Sequence, residues 1–153
     1  MSKRTFAMGL ATAAVAALTG LTGCSSTPPA PETPPVSLTA IEGSNLKQVQ
    51  LTGEAVERLA IKTQAVASSS VSVAGVTATH TVIPYSAVVY DTDGSTWTYV
   101  QNGQGRYLRA SIVVEVIQAQ IAVLSKGPAD GTAVVVVGAP ELLGAEYAIS
   151  GEQ

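Results

Sequence analysis

His80 is the single histidine of the chain and lies in Ala78-Thr79-His80-Thr81. With the chain's serines and Asp91, Asp93 or Asp130 it supplies the residue types of a Ser-His-Asp triad, in which imidazole takes the hydroxyl proton and a carboxylate orients the ring. No Gly-x-Ser-x-Gly elbow occurs, and the residues around His80 read as a strand. No catalytic residue is assigned, and the chain is not expected to be an enzyme. Asp91-Thr92-Asp93-Gly94 spaces two carboxylates as a calcium loop would, but it is too short and lacks the downstream glutamate. It reads as turn chemistry. One cysteine and one histidine exclude a multi-cysteine zinc site, so no metal or cofactor is expected. Trp97, Tyr99 and Tyr107 are weighed as a ligand-stacking face against cross-strand packing, and packing is preferred.

The remaining reactive side chain is Cys24. Lys3 and Arg4 form a positive start, and Phe6 to Leu21 is an apolar or small-residue run. That run is shorter than the ~20 residues that span a bilayer as a helix and has the form of a signal-peptide core. Leu21-Thr22-Gly23-Cys24 follows and resembles the lipobox of bacterial lipoproteins. The resemblance implies cleavage before Cys24 and acylation of its thiol and new amino group, palmitate among the acyl chains. More than one chain makes such an anchor stable. Residues 1–23 are therefore expected to be a lipoprotein signal peptide, and the product is placed at the cell membrane, facing the periplasm or the exterior.

Composition limits what the rest can do. Of 153 residues, 46% are hydrophobic and 12% charged, which excludes a wholly disordered chain. Without residues 1–23, 130 residues remain, with six basic against eleven acidic side chains and a net charge of -5. That balance argues against nucleic acid and against electrostatic capture by anionic lipid, leaving attachment to Cys24. Residues 25–37 carry five prolines in thirteen positions and read as an extended polyproline tether. Residues 38–48 are polar and unpatterned, so 24–48 is taken as tether and linker and 49–153 as the folded domain.

Within 49–153 the sequence predicts one short helix and then strands. Thr52 caps the helix, Glu54 lies in its first turn, and Val56, Leu59 and Ala60 share a face. Ile61–Ala67, Ser70–Thr81, Ser86–Tyr90, Thr96–Val100, Arg106–Val114, Ile117–Leu124 and Ala133–Val137 read as strands. Asp91–Ser95 is expected to join two of them as a hairpin. The unbroken valines Val134–Val137 suggest a strand covered on both faces. The expected fold is mainly β, a small antiparallel barrel or sandwich with one short N-terminal helix.

Several segments, in order, resemble the periplasmic adaptor subunits (membrane fusion proteins) of resistance-nodulation-division efflux systems. They are Val49–Thr63, Ile83-Pro84-Tyr85-Ser86-Ala87-Val88, Asp91–Val100, Ser125–Val135 and Gly138–Gly144. The resemblance is to the barrel and membrane-proximal part only. A complete adaptor has a long helical hairpin and lipoyl-like halves, whereas Val66–Thr81 is sixteen residues without heptads. Lys126-Gly127-Pro128 also departs from the family's Gly-Leu pattern at that turn, and the hairpin near Gln118-Ala119-Gln120 lacks the common Asp-Gly. What the resemblance implies is an accessory protein-contact module of a transport assembly, held at the membrane by lipid at Cys24, with an inner-membrane transporter or a full-length adaptor as partner. The alternative is a stand-alone cell-envelope binding module for a small molecule, metal or wall polymer.

Overall fold

The computed structural model describes residues 33–150. Cys24, the apolar run before it and residues 25–32 of the proline-rich stretch lie outside the described residues. The chain is mainly β, in two open antiparallel sheets.

The larger sheet starts earlier than the sequence suggests. β1 (Val36–Ala40) and β2 (Lys47–Leu51) pair from Val36–Leu51 to Ala40–Lys47. β1 lies wholly within the stretch read as tether and linker, and β2 begins there with Lys47 and Gln48. Val36 and Leu38 are the reason: they are half-buried and pack on the core, which fixes a strand that its polar neighbours conceal. Thr52 then caps α1 (Gly53–Arg58), its Oγ1 accepting from Ala55 N at 3.3 Å. Ala60, at φ 51, turns the chain out of the helix.

The next strands are β3 (Lys62–Ala65), β4 (Ala67–Val73), β5 (Val76–Pro84) and, after a 3-10 turn at Tyr85–Ala87, β6 (Val89–Tyr90). β7 (Thr96–Gln101), β8 (Arg106–Ser111), β9 (Val113–Gln118), β10 (Ile121–Lys126) and β11 (Ala133–Val137) complete the set. The larger sheet runs β1-β2-β8-β7-β11-β3, with β6 beside β7; the smaller runs β4-β5-β10-β9.

Ser70–Thr81, read as a single strand, is a hairpin, and Ile117–Leu124 holds the hairpin read near Gln118-Ala119-Gln120. Ser70–Thr81 bends at Ala74-Gly75, φ 51 and 83, and Ile117–Leu124 bends at Ala119-Gln120, with Ala119 at φ 51. Positive φ in a two-residue turn matches strand twist, but alanine is a poor advertisement for it, since the left-handed region costs an L-residue about 1–2 kcal/mol.

The smaller sheet curls strongly. Register shifts along β9–β10 bend it. The Gln118 side chain on one edge strand then donates to Ser72 O on the other at 2.7 Å. Val71, Val82 and Val123 form a cluster of their own within this sheet. The expected barrel is thus an open, curled sheet, not a closed one.

β11 separates two cores. Val135 joins Val49, Leu51, Tyr99 and Tyr107 beneath the helices, while Val134 joins Ile83, Ala122 and Leu124 of the smaller sheet. Burial on both faces holds for these two valines, but Val136 is half-buried and Val137 is 42% exposed. The strand outruns its cover. At Gly138 (φ 89) an added Cβ would sit 2.1 Å from Ile61 Cδ1, so only glycine makes this turn.

A second helix, α2 (Ala139–Ser150), follows, longer than α1 and missed by the sequence reading. Pro140 and Glu141 suit its start. Leu142 and Ala139 bury it on the first core.

Val134→Ala and Val135→Ala should each cost about 2–4 kcal/mol through lost burial and cavity formation. Val137→Ala should stay within about 0.5 kcal/mol, as at a surface position. Denaturant midpoints of the three variants check this.

Candidate functional site

The densest polar cluster lies where the Asp91–Ser95 turn, β7, β8 and α2 meet. The turn folds as its residues dictate. Asp91 N donates to Ser95 O at 2.9 Å, Gly94 N to Asp91 O at 3.0 Å, and Ser95 N to Asp93 Oδ1 at 2.8 Å. Gly94 takes φ 82. Strand register then sets Trp97 opposite Ser111, Tyr99 opposite Arg109 and Gln101 opposite Tyr107, all on one face.

Arg109 is the centre of this cluster and is 9% exposed. Its Nη1 donates to Asp91 Oδ2 at 2.7 Å. Its Nε lies 3.1 Å from Glu146 Oε2 but off the line of a hydrogen bond, so that contact is Coulombic. Tyr99 donates its phenol to Glu146 at 2.7 Å, and Tyr147 donates to Asp91. The guanidinium also sits 5.1 Å from the Trp97 ring centre and 5.9 Å from that of Tyr147, within cation–π range.

These contacts set the titration. The Tyr147 phenol, then the Thr92 N–H and Arg109, hold the Asp91 carboxyl at about 2. Burial, reinforced by the bond to Glu146, pushes the Tyr99 phenol well above its ordinary range. The hydrogen bond to Asp91 raises Tyr147. What such an arrangement does chemically is hold a helix: two carboxylates and two phenols converge on one buried cation and lock α2 to the sheet.

The structure distributes the other candidates rather than gathering them. His80 Nδ1 lies 3.7 Å from Glu115 Oε2. Asp130 accepts from the Ser68 hydroxyl, Asp93 is engaged by Ser95, and Asp91 belongs to the Arg109 cluster. Among the described residues no group of three or more His, Cys, Asp or Glu is placed to hold a metal ion. Tyr99 and Tyr107 are buried core residues, so the aromatic set packs across the strands. Cys24 lies outside the described residues. The sequence reading missed Glu146 and Tyr147 because it had no helix there to carry them.

Two surface features remain. The edge strand β9 exposes Val113 (47%) and Ile117 (41%) beside its unpaired backbone edge. A cleft of about 410 Å³ opens between α1, β2, and the β7–β8 turn, with Gln50, Glu57, Gln101 and Gln104 at its rim. No helix among the described residues is long and apolar enough to cross a membrane. No family model, no curated protein and no solved structure matches the chain.

Because the Asp91 pKa is depressed, its contribution to stability is complete above the ordinary value of 3.8 and is lost as pH falls through about 2. An acid titration followed by circular dichroism should show that loss in the wild type. Asp91→Asn should lack this pH-dependent step. Arg109→Ala should cost about 3–5 kcal/mol, because it removes the guanidinium that faces the buried Glu146 carboxylate. The double variant Arg109→Ala/Glu146→Ala should lose less than the two single losses combined, as chemical denaturation will show.

Proposed function

We propose that the chain is a membrane-anchored lipoprotein that works by protein contact, as an accessory module of a transport assembly. The observation that carries this reading is the open edge of the smaller sheet. β9 has one hydrogen-bonded neighbour, β10, and presents Val113 and Ile117 to solvent. An exposed edge with apolar side chains is a template for another strand. Leu21-Thr22-Gly23-Cys24 supplies the anchor. Residues 25–35, ahead of β1, reach at most about 34 Å when extended as polyproline, which limits how far the domain stands from its lipid. The partner proposed from the resemblance is an inner-membrane transporter or a full-length adaptor. Asp91–Val100 folds as a hairpin, in keeping with the segment it resembles, whereas Ile83–Val88 ends β5 and enters a 3-10 turn where the resemblance implies a strand opening. Gly138–Gly144 instead enters α2.

The amide-rimmed cleft favours a second reading, a cell-envelope binding module.

A photo-crosslinking residue at Ile117, activated in native membranes, should yield adducts with transporter or adaptor subunits, whereas one at exposed Glu141 should not. Mass spectrometry of the same fractions should find Cys24 acylated at the new N-terminus. Recovery of adducts only with the chain itself, or of unmodified Cys24 in a chain retaining Met1, would overturn the proposal.

A further inference from the structure

The cleft beside α1 has a composition that restricts its occupant. Val56 contributes apolar surface above the buried Leu51 and Tyr107, and three carboxamides, Gln50, Gln101 and Gln104, stand around it. Glu57 is the one charged residue of the lining. The walls are set by backbone: Leu51 N donates to Gly105 O at 2.8 Å. A Cβ at Gly105 (φ 66) would lie 2.5 Å from Leu51 O, so only glycine permits the strand and turn to close this tightly. At about 410 Å³ the space falls in the range of small-molecule sites, which combine apolar walls with a few placed polar groups.

Each carboxamide offers two donors and a carbonyl acceptor. Gln50 spends one donor on Leu51 O, at 3.1 Å, which fixes its side chain and leaves its other groups for a ligand. Anions meet one carboxylate and no cation in the lining, and a cationic ligand finds a single acid. An uncharged polyhydroxylated ring fits: its hydroxyls give and accept as carboxamides do, and its C–H face lies on Val56. A peptide main chain shares the amide chemistry but docks through a free strand edge. Here β2 is already paired on both sides, with β1 and β8.

We propose that this cleft is a binding subsite for a short segment of uncharged glycan. The proposal deepens the binding-module reading and is independent of any contact at β9.

The test uses the full-length lipidated chain in nanodiscs, with ¹⁵N-labelled glutamine side chains followed by NMR. The probes are chitotetraose and maltotetraose. Saturable shifts of the Gln50, Gln101 and Gln104 side-chain amides are expected with at least one probe. Gln101→Ala/Gln104→Ala should weaken binding at least about tenfold with unchanged Tm, and Glu141→Gln, outside the lining, should leave it within about twofold. Absence of saturable shifts, shifts unchanged in the double variant, or displacement of the glycan by tetraglycine would overturn it. No transporter is present in the assay, so its failure leaves the Ile117 crosslinking result untouched, and the reverse also holds.

Discussion

One buried cation organises the helical side of this molecule. Arg109 projects from β8 into a space that neither the sheet nor α2 could fill with apolar groups alone. Removing a guanidinium from water costs several kcal/mol, and the structure offsets that by surrounding it with the carboxylates of Asp91 and Glu146 and the ring of Trp97. Glu146 and Tyr147 both come from α2, so the helix can occupy only the register that satisfies them. Leu142 and Ala139 add burial but little direction. A hydrophobic contact tolerates a slide of one turn; a carboxylate facing one guanidinium does not.

From this constraint follows a division between a rigid side and an open one. The larger sheet is covered by helices on one face and by the smaller sheet on the other, as the opposite placements of Val134 and Val135 show. The smaller sheet is bridged between its edges at one end by Gln118 and Ser72. Its β9 edge otherwise presents backbone and aliphatic side chains, the chemistry of strand addition. The helical side carries the carboxamide cleft. Contact with another protein and retention of a neutral ligand are thus assigned to different faces, and neither requires the other.

Fold class was legible because the strands are rich in valine and threonine and the central hairpin carries Asp-Gly at its bend. The capped α1 was equally plain, with Thr52, Glu54 and an apolar face at helical spacing. What escaped reading has physical reasons. β1 carries only Val36 and Leu38 as buried residues, among serine, threonine and alanine. The turn at Ala74-Gly75 takes left-handed backbone at alanine as well as glycine, which the residue types do not signal. α2 hides behind Gly138, Pro140 and Gly144, residues that punctuate loops more often than helices. The Arg109 cluster was invisible for the same reason. Its residues span Asp91 to Tyr147, and only the docking of an unforeseen helix brings them together. The acylation motif at Cys24 is a local signal and needed no fold to be seen.

α2 follows every strand of the sheet that it covers, and that order bears on when the sheet can be closed. The core formed by Val49, Leu51, Tyr99 and Tyr107 is closed by Leu142, and Arg109 gains its second carboxylate only from Glu146. During synthesis these arrive after all the strands. Until they do, the sheet has an uncovered apolar face and an arginine with half its counter-charge. The strands therefore cannot settle into their native packing ahead of the helix.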